Sequence, residues 1–198
     1  MSDRRSTAFD SASGSLAGQA LIAMPGIGDP RFERAVIYIC GHTADHAYGL
    51  VLNRPVDGLT TPSLFQKLGV ESAIEVPADP VMYGGPVEKE RGFVLHTTDY
   101  LNSASSTLIV DGVALTGTRD ILEAMASHNR RPRHAFLALG YSGWGAGQLE
   151  QELQQNVLLT CPPDEDLLFG QDYDHKWAMA LNRLGIQAHQ LSADAGRA

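Results

Sequence analysis

Apolar residues in this chain come in short runs cut by glycine, proline and polar clusters, and the period within each run predicts its element. "QALIAM" (19–24) and "RAVIYIC" (34–40) are runs of strand length separated by the turn-rich "PGIGDPRFE". "YGLVLNRP" (48–55) follows a polar loop, so three early strands are expected. In "TTPSLFQKLGV" the period changes. Leu64, Phe65 and Leu68 fall at helical spacing behind a Thr/Ser cap region with Pro62 near the start, and Gly69 supplies the stop. "PVMYGG", "GFVLHT" and "STLIVDGVALT" return to strand character, the last with an Asp111-Gly112 hairpin turn. "TRDILEAMASHN" predicts a helix with Ile121, Leu122 and Met125 on one face, and "HAFLALG" (134–140) a further strand.

After that strand, "GYSGWGAG" (140–147) reads as a glycine-rich turn opening a helix from Gln148 to Leu158. "DYDHKWAMALNRLGI" closes the pattern as a helix ended by Gly185. Strands come in runs with hairpin signals, while helices are few and late. This predicts an α+β fold, a compact mixed β-sheet flanked by a few helices, over a doubly wound parallel sheet. Residues 1–15 and 187–198 are polar, small-residue segments without periodicity and read as flexible tails around a single domain, 16–186.

Composition narrows the function classes. With 43% hydrophobic and 19% charged residues, 198 residues suffice to bury a core without disulfides or metal. No apolar run reaches the roughly 18–20 residues of a membrane span, and "MSDRRSTAFDSASGS" has no apolar h-region, so a cytoplasmic protein without membrane contact is expected. Cys40 and Cys161 are then free thiols of a reducing compartment. The net charge of −8 repels nucleic acid, and direct DNA binding is not expected. The one basic cluster, "HNRRPRH" with Arg130, Arg131 and Arg133, reads as a solvated loop.

The glycine loop invites comparison with phosphate-binding turns, and it fails each pattern. Ala146 and Gly147 stand where a Walker A loop needs lysine and a hydroxyl. Gly143-x-Gly145 has no glycine at the sixth place of a dinucleotide fingerprint, and Trp144 stands where a nucleophile elbow needs glycine. Glu150 and Glu152 in the first helical turns would also repel a phosphate. No cofactor is expected, and the glycines are read as conformational, allowing Trp144 to turn onto the core or a neighbouring surface.

"DPRFERAVIYIC", "GLVLNRP", "YGGPV", "RGFVLHT", "ALGYSGWGAGQLEQEL" and "LGI", in that order, resemble the YqgE/AlgH family of bacterial proteins over roughly residues 16–186. The resemblance implies a compact mixed α/β fold, a cytosolic bacterial protein and a link to regulation of gene expression, without supplying a reaction. Relatives typically carry Cys-Glu-His where this chain has Cys40-Gly41-His42, so no role here rests on that glutamate. Ser142 falls where relatives often carry alanine.

Three constellations remain. Cys40 and His42 form a candidate redox pair, because an imidazolium near the sulfur lowers a thiol pKa; the opposing reading is a buried, inert cysteine. His42, Asp45 and His46 have metal-like spacing only on a helix, and they fall in a predicted loop with only the distant His96 as a further ligand, so no metal site is expected. Arg54 and Arg91 border the turn carrying Gly84 and Gly85, which predicts a glycine-lined cleft with two guanidinium forks for a small anion. The opposing reading has each arginine tied to a loop carbonyl or carboxylate near Asp29 or Glu33. The sequence therefore points to a regulatory, non-enzymatic protein with a ligand or partner surface at Arg54, Gly84, Gly85, Arg91 and Trp144. The alternatives are a redox sensor using Cys40 and a small enzyme acting on an anionic substrate.

Overall fold

The computed structural model describes residues 14–191. Ten strands alternate with five short α-helices: β1 Ala20–Ala23, β2 Val36–His42, β3 His46–Val51, β4 Pro55–Thr60, α1 Thr61–Leu68, β5 Pro80–Tyr83, β6 Val87–Thr97, β7 Ser106–Val110, β8 Val113–Thr116, α2 Arg119–Met125, β9 Ala135–Gly145, α3 Gln148–Gln154, β10 Leu158–Cys161, α4 Glu165–Phe169 and α5 Lys176–Arg183. The strands form one curled, half-barrel sheet in the order β10-β1-β2-β3-β9-β6-β8-β7. A side branch pairs β4 with β5. Every pairing is antiparallel except β5 with β9, so the α+β expectation holds in the form of a sheet-dominated, curled architecture.

β9 is the organising strand. One of its edges pairs with β6 through residues 135–141. Its other edge takes β5 at Ala138 and Leu139, then β3 from Ser142 to Gly145. The glycine-rich segment expected to turn is thus strand as far as Gly145, and the turn shrinks to Ala146 and Gly147. Gly140 explains the difference: its φ of +72° lets the strand shift phase without breaking. Phe136, Ala138 and Tyr141 consequently belong to one core cluster, Leu137 and Leu139 to a second, and Trp144 to a third.

Elsewhere β2 shows why its sequence is apolar throughout. Val36, Tyr38 and Cys40 face the first cluster, where α4 and α5 contribute Leu167, Leu168, Trp177 and Leu181, while Ile37 and Ile39 face the cluster under α3. Both faces are covered, as a run without alternation requires. α1 is capped by Thr60, whose side chain accepts from the Ser63 N–H in a capping box, and stops at Gly69 in the left-handed region. The β7–β8 hairpin turns at Asp111-Gly112 as its sequence predicts.

Several elements depart from the sequence reading. β4, β10 and α4 were not expected, and α3 ends at Gln154 because Leu158 begins β10 beside β1. Residues 188–190, read as part of a tail, form a 3-10 turn, and Ala188 and Leu191 pack against the first core cluster. The remainder of the expected tails, 1–13 and 192–198, lies outside the described residues.

Candidate functional site

The glycines that the sequence offered as a ligand surface are a backbone crossing. Gly84 and Gly85 are buried after β5, and a Cβ at Gly84 would stand 2.2 Å from the Gly140 carbonyl oxygen. A Cβ at Gly85 would meet the Tyr141 carbonyl carbon at 2.1 Å, and one at Gly140 the Gly85 oxygen at 2.5 Å. Only glycine permits this approach, and no space for a ligand is left within it. The crossing is tied by hydrogen bonds from the Val51 N–H to the Gly84 carbonyl (3.0 Å) and from the Gly84 N–H to the Leu139 carbonyl (2.8 Å). Ser142, fully buried, donates its hydroxyl to the same Gly84 carbonyl at 3.2 Å, which removes it from nucleophilic chemistry.

What the crossing does is shape β6. Val87 pairs with Tyr141 and Gly92 with Leu139, so four residues, Glu88 to Arg91, stand against Gly140 alone and bulge from the ladder, all exposed. Beside this bulge the curled sheet leaves a cleft of about 720 Å³. Tyr48 of β3, Phe93 of β6 and Tyr141 of β9 form its aromatic wall: Tyr141 meets Tyr48 edge to face at 6.3 Å and Phe93 at 5.8 Å between ring centroids. Such geometry follows the ring quadrupoles. Burial raises the half-buried Tyr48 phenol above its ordinary range, keeping it a neutral hydroxyl. Gly143 lies across from Tyr48 in the ladder and keeps the cleft open.

Arg91 marks the mouth. Its guanidinium lies 5.0 Å over the Phe93 ring centroid, and its Nη1 donates to Glu88 Oε2 at 3.1 Å. Trp144 completes one wall but is 7% exposed, with its Nε1 donating to Glu152 Oε2 at 2.9 Å. Ser105 and Thr118, on the opposite rim, are held by a residue that sequence reasoning missed. Asp120 Oδ2 accepts from Ser105 Oγ (2.7 Å), Tyr100 Oη (2.7 Å) and Asn102 Nδ2 (3.0 Å), and its Oδ1 accepts from the Thr118 hydroxyl. Burial alone would raise its pKa, but these donors, Thr118 first, hold the carboxyl far below the usual carboxylate range.

Arg54 is elsewhere, which corrects the expected pairing with Arg91. Its Nη2 donates to the Glu33 carbonyl, the tie weighed from the sequence, and it lines a separate cavity beside Arg34 and Trp177. Asn53 fixes that region: its Nδ2 donates to the Arg34 carbonyl at 2.9 Å and its Oδ1 accepts from the Val36 N–H at 2.9 Å.

Cys40 and His42 are not brought together either. A bulge between Ile39 and Gly41 shifts the strand phase. Cys40 is 4% exposed in the core, where burial pushes its thiol far above the ordinary range. His42 accepts the Leu16 N–H at Nδ1 (2.9 Å), so its Nε2 carries the proton and donates to Glu150 Oε1 at 2.7 Å. His96 is fully buried between the Thr97 carbonyl and the Thr116 hydroxyl. In the basic loop, Arg133 pairs with Glu165 at 2.7 Å.

A family profile described as AlgH-like matches residues 20–189. A UPF0301 protein of Caulobacter vibrioides is 60% identical over 183 residues, covering 92% of this chain and 94% of the relative. A UPF0301 protein of Ruegeria pomeroyi is 51% identical over 184 residues, covering 92% of this chain and 99% of its own. The solution structure of the AlgH protein from Pseudomonas aeruginosa superposes with a TM-score of 0.74 at 37% identity, over 95% of this chain and 98% of that one.

Proposed function

The chain belongs to the AlgH-like family, and we propose that it is a cytosolic binding protein whose ligand seat is the aromatic cleft of Tyr48, Phe93 and Tyr141, with a regulatory rather than a catalytic role. The observation that carries this reading is the cleft itself: about 720 Å³ lies within the usual range of small-molecule sites, and its lining sets the aromatic wall against polar groups that include Arg91, Ser105 and Thr118. Catalysis by Ser142 or Cys40 is disfavoured by their burial. Direct regulation of DNA is disfavoured by the charge of −8.

The test uses N-phenyl-1-naphthylamine, a neutral aromatic dye that brightens on leaving water. A Cβ at Gly143 would touch Tyr141 Cε2 at 3.5 Å and Val87 Cγ2 at 3.9 Å, ordinary contacts, so Gly143→Leu grows into the cleft without a backbone clash. Gly145→Leu, in open space on the same strand, is the control. Saturable binding at one site, abolished by Gly143→Leu and retained in the control, is expected. Absence of saturable binding, or equal binding by Gly143→Leu, refutes the proposal.

A further inference from the structure

We infer that the ligand of the aromatic cleft carries an anionic group, and that in the free protein Glu88 occupies that group's place on Arg91. The inference rests on the reading of the cleft as a ligand seat and adds the ligand's chemical class. Arg91 has one face laid on Phe93, which fixes the plane of its fork and leaves its N–H edges for an oxyanion. One of those edges, at Nη1, is taken by the Glu88 carboxylate.

Two features make Glu88 a placeholder rather than a structural tie. The pair is exposed, at 58% for the Arg91 side chain and 48% for Glu88, and such pairs are weak and readily exchanged. Glu88 also sits at φ +46°, a left-handed conformation that a residue with a Cβ adopts at a cost. That conformation turns the chain so that a carboxylate three residues before Arg91 returns to it within the bulge.

Charge around the cleft favours the exchange. Among its lining residues Glu88 is the single carboxylate, and Arg91 and His46 are the basic side chains. Asp120 stands behind the rim with its oxygens engaged by Ser105, Thr118, Tyr100 and Asn102. Displacing the Glu88 carboxylate therefore frees the Arg91 fork at the mouth of a protein whose net charge is −8. One arginine over an aromatic floor suits a flat, apolar ligand body bearing a single carboxylate, sulfonate or phosphate. A polyanion would find one fork only.

A matched pair of dyes isolates the anion. 8-Anilino-1-naphthalenesulfonate is N-phenyl-1-naphthylamine plus one sulfonate, so the ratio of their dissociation constants reads the charge at constant body. Glu88→Gln is expected to tighten the sulfonate relative to the neutral dye by about two- to five-fold, the range of an exposed ion pair. Arg91→Met keeps an apolar stem over Phe93 and is expected to weaken the sulfonate relative to the neutral dye by about five-fold or more. If the neutral dye binds and Gly143→Leu blocks it, but the ratio ignores both substitutions, this inference is overturned while the cleft reading stands. If neither dye binds the unsubstituted protein, both fall together.

Discussion

Lys176, at the start of α5, is 1% exposed, which is unusual for an ammonium group. Its Nζ donates to the Leu167 carbonyl at 2.6 Å and the Leu168 carbonyl at 3.2 Å, closing the end of α4, and it lies 5.7 Å over the Tyr173 ring. Burial lowers its pKa from the ordinary 10.5 to about 8, against a smaller opposing pull from Asp166. The folded state thus holds the proton less tightly than the unfolded chain. Stability from this group is full above 10.5 and is lost as pH falls through about 8. At about 1.4 kcal/mol per pH unit, the complete effect is roughly 3 kcal/mol. Between pH 7 and 9.5, linkage gives a gain of about 2 kcal/mol.

Lys176→Met removes this titration but leaves two carbonyls without their donor, which costs about 1–3 kcal/mol each and offsets the relief of the buried charge near neutral pH. The decisive quantity is therefore the difference between the two proteins as a function of pH. Buried Cys40 and Cys161 titrate identically in both and cancel from it. Urea unfolding at pH 7 and 9.5 is expected to show the unsubstituted protein gaining about 2 kcal/mol on the variant. A difference that stays constant across this range would refute the argument, because Lys176 would then hold its proton equally in both states.

Two further outcomes follow from the same physics. With Cys161 replaced by serine, Cys40 is expected to react with iodoacetamide slower by about two orders of magnitude or more in the folded protein than in urea. That rate should not respond to replacing His42; fast alkylation with a depressed apparent pKa that needs His42 would restore the redox reading. Gly140→Ala is expected to destabilise by about 2–4 kcal/mol, since it combines a left-handed φ of +72° with a Cβ 2.5 Å from the Gly85 oxygen and 2.9 Å from the Val87 oxygen, whereas Gly145→Ala meets open space. Equal melting temperatures for these two variants would show that the crossing yields more readily than its geometry implies.

Much of the sheet was legible because its signals are local. The unbroken apolar run of β2, the Asp111-Gly112 hairpin and the capped, glycine-stopped α1 each depend on residues adjacent in sequence. β4 was illegible for the converse reason: Pro55, Asp57 and Gly58 are residues that break strands, none of the strand is fully buried, and it pairs with β5 at Pro55 and Thr60 with an irregular register between them. β10 was absorbed into a helix because Leu153 and Leu158 continue an apolar pattern across the turn at Asn156, whose positive φ no propensity announces. In the site, Arg91 and Trp144 were found, but Tyr48, Phe93 and Tyr141 are each more than forty residues from the next. No spacing rule connects them. Only the switch of β9 from β6 to β3 does so, and that switch depends on one glycine read as part of a turn.

That same switch separates the site's stability from its selectivity. Tyr141 and Phe93 belong to the first core cluster, so altering the aromatic wall disturbs packing that holds the sheet to α4 and α5. Glu88, Lys89, Glu90 and Arg91 stand outside the ladder, all exposed, and touch the core only where the Arg91 guanidinium lies over Phe93. Exposed substitutions of this kind usually change stability by no more than about 0.5 kcal/mol. The crossing of Gly84, Gly85 and Gly140 thus holds the wall rigid and pushes a charged segment to the mouth, where substitution disturbs less packing than in the wall. A substitution in the bulge should therefore change which ligand charge is preferred while leaving the melting temperature in place, and one in the wall should change both.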